Sequence, residues 1–151
     1  MPQLNVLPVE TQAKLGCTHE YIVEFDDFTS TGNTQTFTVT IPAGSLVKGG
    51  PHVLETDFTD SGGGITSLAY TVGDGDDADI YLSSTEVETS GTEIDYKVAT
   101  NTGIANGKVY TSADTIDFAF TATAAQDLTT LTGGKLRYYF SMVDLDDLKK
   151  S

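Results

Sequence analysis

The sequence predicts an all-β fold, a single antiparallel β-sandwich of jelly-roll-like arrangement with an extended N-terminal arm. Threonine is the commonest residue, with 24 copies among 151. It mixes with Val, Ile, Phe and Tyr in short runs that are divided by Gly, Asn, Asp and Ser, a composition typical of pleated sheets and tight turns. A chain of this length can build one hydrophobic core, and several long connections between the runs favour a jelly roll.

Alternation of apolar and polar residues predicts eight or nine strands. The predicted strands fall at residues 19–25, 35–41, 51–58, 65–72, 93–98, 104–110, 115–123 and 135–143. The loop at 29–34 is interpreted as a hairpin turn between the first two strands, residues 42–50 as a connection, and residues 81–88 as a possible short helical turn. We expect Phe28 to fold back beneath the loop at 29–34.

Three parts are expected along the chain: an extended arm at 1–16, the sandwich domain at 17–143 and a charged tail at 144–151. The arm has two prolines and no sustained helical or alternating period. Its apolar side chains would be costly to leave in water, so we expect them to lie on their own domain or to bind a neighbour. The predicted partner-binding residues of the arm are Leu4, Val6, Leu7 and Val9.

The last strand places aromatic residues on both of its faces, because Tyr138, Tyr139 and Phe140 follow one another. One face must be core, and the other is either covered by the arm or exposed to a partner. Tyr138 and Phe140 are included among the predicted partner-binding residues.

Charge and cysteine content narrow the function classes. The net charge is −14 with only eight Lys and Arg residues, which argues against nucleic acids and anionic membranes as partners. The single cysteine, Cys17, cannot form an internal disulfide, and no leader pattern is evident, so we expect synthesis in a cytoplasm. Protein, sugar or metal partners remain.

The densest charge lies in the acidic turn, residues 70–82, where Asp74, Asp76, Asp77 and Asp79 surround two glycines. We expect Gly73 and Gly75 to reverse the chain by adopting positive φ. Alternate aspartates can supply several of the six to eight oxygens that calcium takes, so Asp74, Asp76 and Asp79 are candidate metal ligands. The alternative is a solvated turn whose carboxylates accept backbone N–H bonds. No cofactor other than calcium is expected.

No enzymatic site is predicted. A nucleophile elbow, a phosphate-binding loop and a dinucleotide fingerprint are missing from the sequence. His19 and His52, the only histidines, lack a third ligand at zinc-site spacing.

Three segments carry a resemblance to a known group. V-G-D-G-D-D-A-D-I-Y-L-S-S-T-E-V at 72–87, followed by G-T-E-I-D-Y-K at 91–97, resembles small virion proteins of tailed bacteriophages, as does L-N-V-L-P-V-E at 4–10. The resemblance implies a non-enzymatic virion structural protein, and among these a capsid decoration (cement) protein.

A decoration protein of this kind is expected to bind the major capsid protein on the outer head surface, to stabilise the head and to form homotrimers. The alternatives are a calcium-assisted carbohydrate- or protein-binding module of lectin type, and a virion protein associated with the tail or a fibre.

Overall fold

The computed structural model describes residues 1–88, 95–98 and 106–149, and of residues 95–98 only the backbone. These residues form two antiparallel sheets packed face to face. The all-β sandwich predicted from the sequence is therefore confirmed, whereas its jelly-roll arrangement stays a prediction. Parts of the predicted strands 93–98 and 104–110, and the end of the tail, lie outside the described residues.

The six-stranded sheet has the order β1-β2-β10-β4-β7, and β8 also pairs with β4. The four-stranded sheet has the order β3-β9-β5-β6. The strands are β1 Gln3–Val6, β2 His19–Glu24, β3 Thr34–Ile41, β4 Ser45–Asp60, β5 Leu68–Gly73, β6 Leu82–Glu86, β7 Asp95–Val98, β8 Lys108–Tyr110, β9 Asp114–Ala122 and β10 Leu131–Asp144. Two short helices, α1 Val9–Leu15 and α2 Leu145–Leu148, flank the sandwich at either end of the chain.

The core follows from the alternation of the strands. In β9 the side chains of Ile116, Phe118 and Phe120 are at most 1% exposed, because every second residue of a strand faces the same side. Phe28 is also buried, as expected, and meets Phe120 edge to face at a centroid distance of 5.1 Å. Such aromatic contacts add to the burial of apolar area that stabilises the sandwich.

The predicted hairpin at 29–34 is wrong, since β2 and β3 belong to different sheets. The loop crosses from one layer to the other, and local turn residues do not distinguish a crossing from a reversal.

The predicted connection at 42–50 is also wrong at its end, because β4 already begins at Ser45. Gly49 and Gly50 lie inside this strand. A Cβ on Gly50 would approach the carbonyl oxygen of Tyr139 to 2.5 Å and the Sγ of Cys17 to 2.7 Å. These glycines therefore permit close contact with neighbouring chain rather than a turn.

The helical turn considered at 81–88 is replaced by β6, in which Leu82 pairs with Val72 of β5. Leu82 is 3% exposed, so burial against the core outweighs the weak capping signal of the two serines.

The N-terminal arm is not extended throughout. Gln3–Val6 form β1, which pairs with β2, and Val9–Leu15 form α1, which is capped at its C-terminus by Gly16 in the left-handed region with φ 76°. The arm therefore lies on its own domain. Among the described residues, no helix is long and apolar enough to cross a bilayer.

Candidate functional site

The acidic turn connects β5 to β6 and is shaped by close approach of the backbone. A Cβ on Gly73 would lie 2.1 Å from the carbonyl carbon of Ala78, and one on Gly75 would lie 2.9 Å from Oδ1 of Asp114. The chain does reverse here, since β5 and β6 pair antiparallel, but neither glycine has a positive φ, so the conformation expected of them is wrong. They are required because the turn folds back on itself and on β9.

Asp74 is the centre of this turn and is 4% exposed. Its Oδ1 accepts the backbone N–H groups of Asp76 at 3.0 Å and Asp77 at 2.9 Å. Its Oδ2 accepts Nζ of Lys108 at 2.6 Å and the hydroxyl of Tyr110 at 2.5 Å. Four donors therefore satisfy one buried carboxylate, as buried charges require.

These contacts determine the protonation of the site. Burial by itself would raise the pKa of Asp74, but the hydrogen bonds from Lys108, Tyr110 and two backbone N–H groups outweigh it and lower that pKa to about 2. The pKa of Tyr110 is raised, first by burial and then by its bond to Asp74. The hydrogen bond to Asp74 also raises the pKa of Lys108. An ionised carboxylate and an ammonium therefore face each other.

The network joins the two sheets. Asp74 follows β5 of the four-stranded sheet, whereas Lys108 and Tyr110 lie on β8 of the six-stranded sheet. The hydroxyl of Tyr110 also lies 2.5 Å from that of Tyr81, and Lys108 Nζ lies 4.9 Å from the centroid of the Tyr110 ring. The arrangement is that of a structural cross-link between the layers.

The predicted metal ligands are only partly brought together. Carboxylate oxygens of Asp74, Asp76 and Asp114 lie within 4.8 Å of one another. Asp79 is not in this group: its pKa is raised chiefly by a hydrogen bond with the carboxylate of Asp77. The calcium site composed of Asp74, Asp76 and Asp79 stays a prediction.

The ammonium of Lys108 already contacts carboxylate oxygens that a metal cation would bind. Lys108 Nζ lies 2.6 Å from Oδ2 of Asp74 and 3.7 Å from Oδ2 of Asp76. The Oδ1 of Asp114 accepts N–H groups of Gly75 at 3.3 Å and Thr115 at 2.8 Å. The geometry favours the alternative interpretation, a turn whose carboxylates accept hydrogen bonds from backbone and side-chain donors.

The predicted partner-binding residues of the arm divide into two groups. Leu7 is 7% exposed and belongs to the buried set, whereas Leu4, Val6 and Val9 are 43%, 70% and 80% exposed. Leu4 and Val6 lie on β1, an edge strand of the six-stranded sheet. The sequence therefore located an exposed apolar segment, but one of its four anchors supports the domain itself.

Tyr138 and Phe140 lie inside the sandwich, each 1% exposed. Their burial corrects their assignment to a partner surface. The intervening Tyr139 faces outward and lines a groove of about 500 Å³ beside α1, together with Leu7, Leu15 and Val53. The arm thus partly covers the outer face, which is the alternative that the sequence had left open.

Sequence reasoning missed Lys108, Tyr110 and Asp114 as partners of the acidic turn. Lys108 and Tyr110 are two residues apart on a strand, so they share one face, and Lys108 is one of only eight cationic residues. Those two signals were visible. Their distance of more than thirty positions from Asp74 concealed the contact.

Comparison with known proteins gives no assignment. No protein-family model matches the chain. No curated protein and no solved structure matches it either.

Proposed function

We propose that this chain is a non-enzymatic structural protein of a tailed-bacteriophage virion, a decoration protein that binds the outer head surface and stabilises it. The observation that carries the proposal is the exposed apolar segment at the N-terminus, where Val6 and Val9 are 70% and 80% exposed. Apolar side chains exposed together on an ordered segment are typical of a protein-binding surface. The partner in this proposal is the major capsid protein.

The energetics of a decorated lattice fit such a segment. Burial of apolar area contributes about 25 cal/mol per Å², so two valines and a leucine give a weak contact by themselves. A capsid presents the same site many times, and linked weak contacts become strong by avidity. The role also needs no reaction centre.

The acidic turn has a supporting part in this proposal. Its Asp74 carboxylate is occupied by Lys108, Tyr110 and backbone donors, which stiffens the sandwich that presents the arm. The strand order, β2-β10-β4-β7 facing β3-β9-β5-β6, is compatible with the jelly-roll arrangement that we include in the proposal.

The test is a binding experiment with the paired variant Val6→Asp/Val9→Asp. Expanded heads that lack the protein are mixed with wild type or variant and sedimented, and bound protein is quantified. We expect the variant to keep its circular dichroism spectrum and melting temperature but to lose at least about tenfold in apparent affinity.

The matched control is Val109→Asp/Leu148→Asp, which places the same charges on apolar residues that are 53% and 63% exposed elsewhere. It is expected to bind as wild type does. Undiminished binding of Val6→Asp/Val9→Asp would refute the role of the arm. Labelled antibody that marks tails or fibres of intact virions, and not heads, would refute the proposed position.

A further inference from the structure

A long stretch without charge stands out in this acidic chain. About one residue in five is charged, yet residues 28–47 include no Asp, Glu, Lys or Arg. This stretch contains the whole of β3 with four threonines, Thr34, Thr36, Thr38 and Thr40, all exposed.

β3 is also an edge strand. Within the described part of the chain it pairs with β9 and with no other strand. Its register runs from Thr34 opposite Thr121 to Ile41 opposite Asp114 without a bulge. Edge strands are usually protected by lysine, proline, a bulge or short length. This eight-residue edge has none of these within it.

The uncharged surface continues from the edge of β3 into a cleft between β3 and β1. The cleft has a volume of about 560 Å³ and its lining includes Leu4, Tyr21, Phe37 and Val39. No acidic or basic side chain is among its lining residues, and the one charge that they carry, the N-terminal ammonium of Met1, pairs with the carboxylate of Asp27. We call the outer edge of β3 and this cleft the uncharged flank.

We propose that the uncharged flank is a contact between two copies of this chain, with the β3 edges paired antiparallel. The net charge of the chain indicates which partner binds at this flank. Each copy carries a net charge of −14, so two copies repel each other wherever their acidic surfaces meet. A basic partner would be attracted to the acidic surface of the chain rather than to the uncharged flank.

Strand pairing gives such a contact its affinity and register. Backbone N–H and C=O groups on the free side of β3 can pair with an extended strand, as in β-augmentation. An antiparallel strand pair places identical residues about a two-fold axis, the symmetry of most homodimers. The exposed threonines would then meet across the axis, a favourable cross-strand pair.

This contact is independent of the proposed function, because the two copies pair without a capsid. It also differs from the trimer that the resemblance implies, since a two-fold pair of β3 edges closes after two copies.

The experiment measures mass by light scattering over a concentration series that reaches roughly 100 μM, where even weak dimers are populated. The test variant is Thr36→Glu/Thr38→Glu, which places four carboxylates at the paired edges. The matched control is Ser83→Glu/Ser84→Glu, on exposed residues of β6 at the opposite edge of the same sheet. Circular dichroism verifies that both variants are folded.

We expect dimers for wild type and control, and a dissociation constant raised about tenfold or more for Thr36→Glu/Thr38→Glu. A wild-type monomer at every concentration would overturn the proposal. So would a trimer, or a dimer that the Thr36→Glu/Thr38→Glu variant leaves intact.

Discussion

Replacing Asp74 by asparagine tests the cross-link between the sheets. Asp74→Asn keeps the size of the side chain but removes the charge that Lys108 and Tyr110 contact at 2.6 Å and 2.5 Å. Solvent does not compensate for the lost charge, because the side chain of Asp74 is 0% exposed. Breaking one partner of a buried pair leaves the other uncompensated.

The pKa of Asp74 gives the magnitude. It is lowered from 3.8 to about 2, and each pKa unit corresponds to about 1.4 kcal/mol of preference for the charged form. The folded state therefore gains roughly 2.5 kcal/mol from ionised Asp74. We expect Asp74→Asn to lower the free energy of unfolding at pH 7 by about 2–3 kcal/mol.

The pH dependence follows from the direction of the shift. Because the pKa of Asp74 is lower in the folded state than in the unfolded chain, the stabilisation is complete above about pH 5. As the pH falls through about 4 towards 2, the unfolded state takes up a proton first and the stabilisation is lost. The difference between wild type and Asp74→Asn should shrink over that range.

Urea unfolding followed by circular dichroism at a series of pH values measures this difference, and the carboxylates common to both proteins cancel in it. The matched control is Asp76→Asn: its side chain is 85% exposed and lies 3.7 Å from Lys108, a surface pair of little value. Equal losses for the two variants, or a wild-type advantage over Asp74→Asn that persists unchanged at pH 2, would refute the reasoning.

Two further outcomes are expected at the acidic turn. Gly73→Ala should lower the melting temperature strongly, because its Cβ would overlap the backbone of Ala78. The control Gly62→Ala should change it little, because only a side-chain atom lies near, at 4.0 Å. Similar melting temperatures for the two variants would contradict the close approach at Gly73. Millimolar calcium should leave the melting temperature of wild type unchanged but raise that of Lys108→Met. The ammonium of Lys108 pairs with the Asp74 carboxylate, so the variant exposes that carboxylate to a cation. A calcium response in wild type would favour the metal-binding alternative.

Most residues that the sequence assigned to strands do lie in strands, because the alternation of apolar and polar residues follows the burial of every second side chain. The pattern at 115–123 matches β9 to within one residue at each end, and the inward residues of this strand form the centre of the core. The apolar arm was likewise found from composition. The same pattern could not assign residues 3–6 to β1, since this strand is defined by its pairing with β2, which lies further along the chain.

The acidic turn was likewise predicted only in part from the sequence. Its glycines and aspartates indicated a compact, charged loop, and the loop has those properties. Which aspartates act together depended on Lys108 and Tyr110, which a different sheet brings to Asp74. A contact across more than thirty residues leaves no local periodicity.

By itself, the sequence determined the all-β class, the core-facing residues of strands with clear alternation such as β9, and the concentration of acid in one turn, because periodicity and composition express burial and charge residue by residue. The tertiary structure alone decided three things: that β2 and β3 belong to different sheets, that Tyr138 and Phe140 face inward, and that Lys108 satisfies Asp74. Each depends on which strands become neighbours, and that choice is made by packing of the whole chain rather than by any short segment of it.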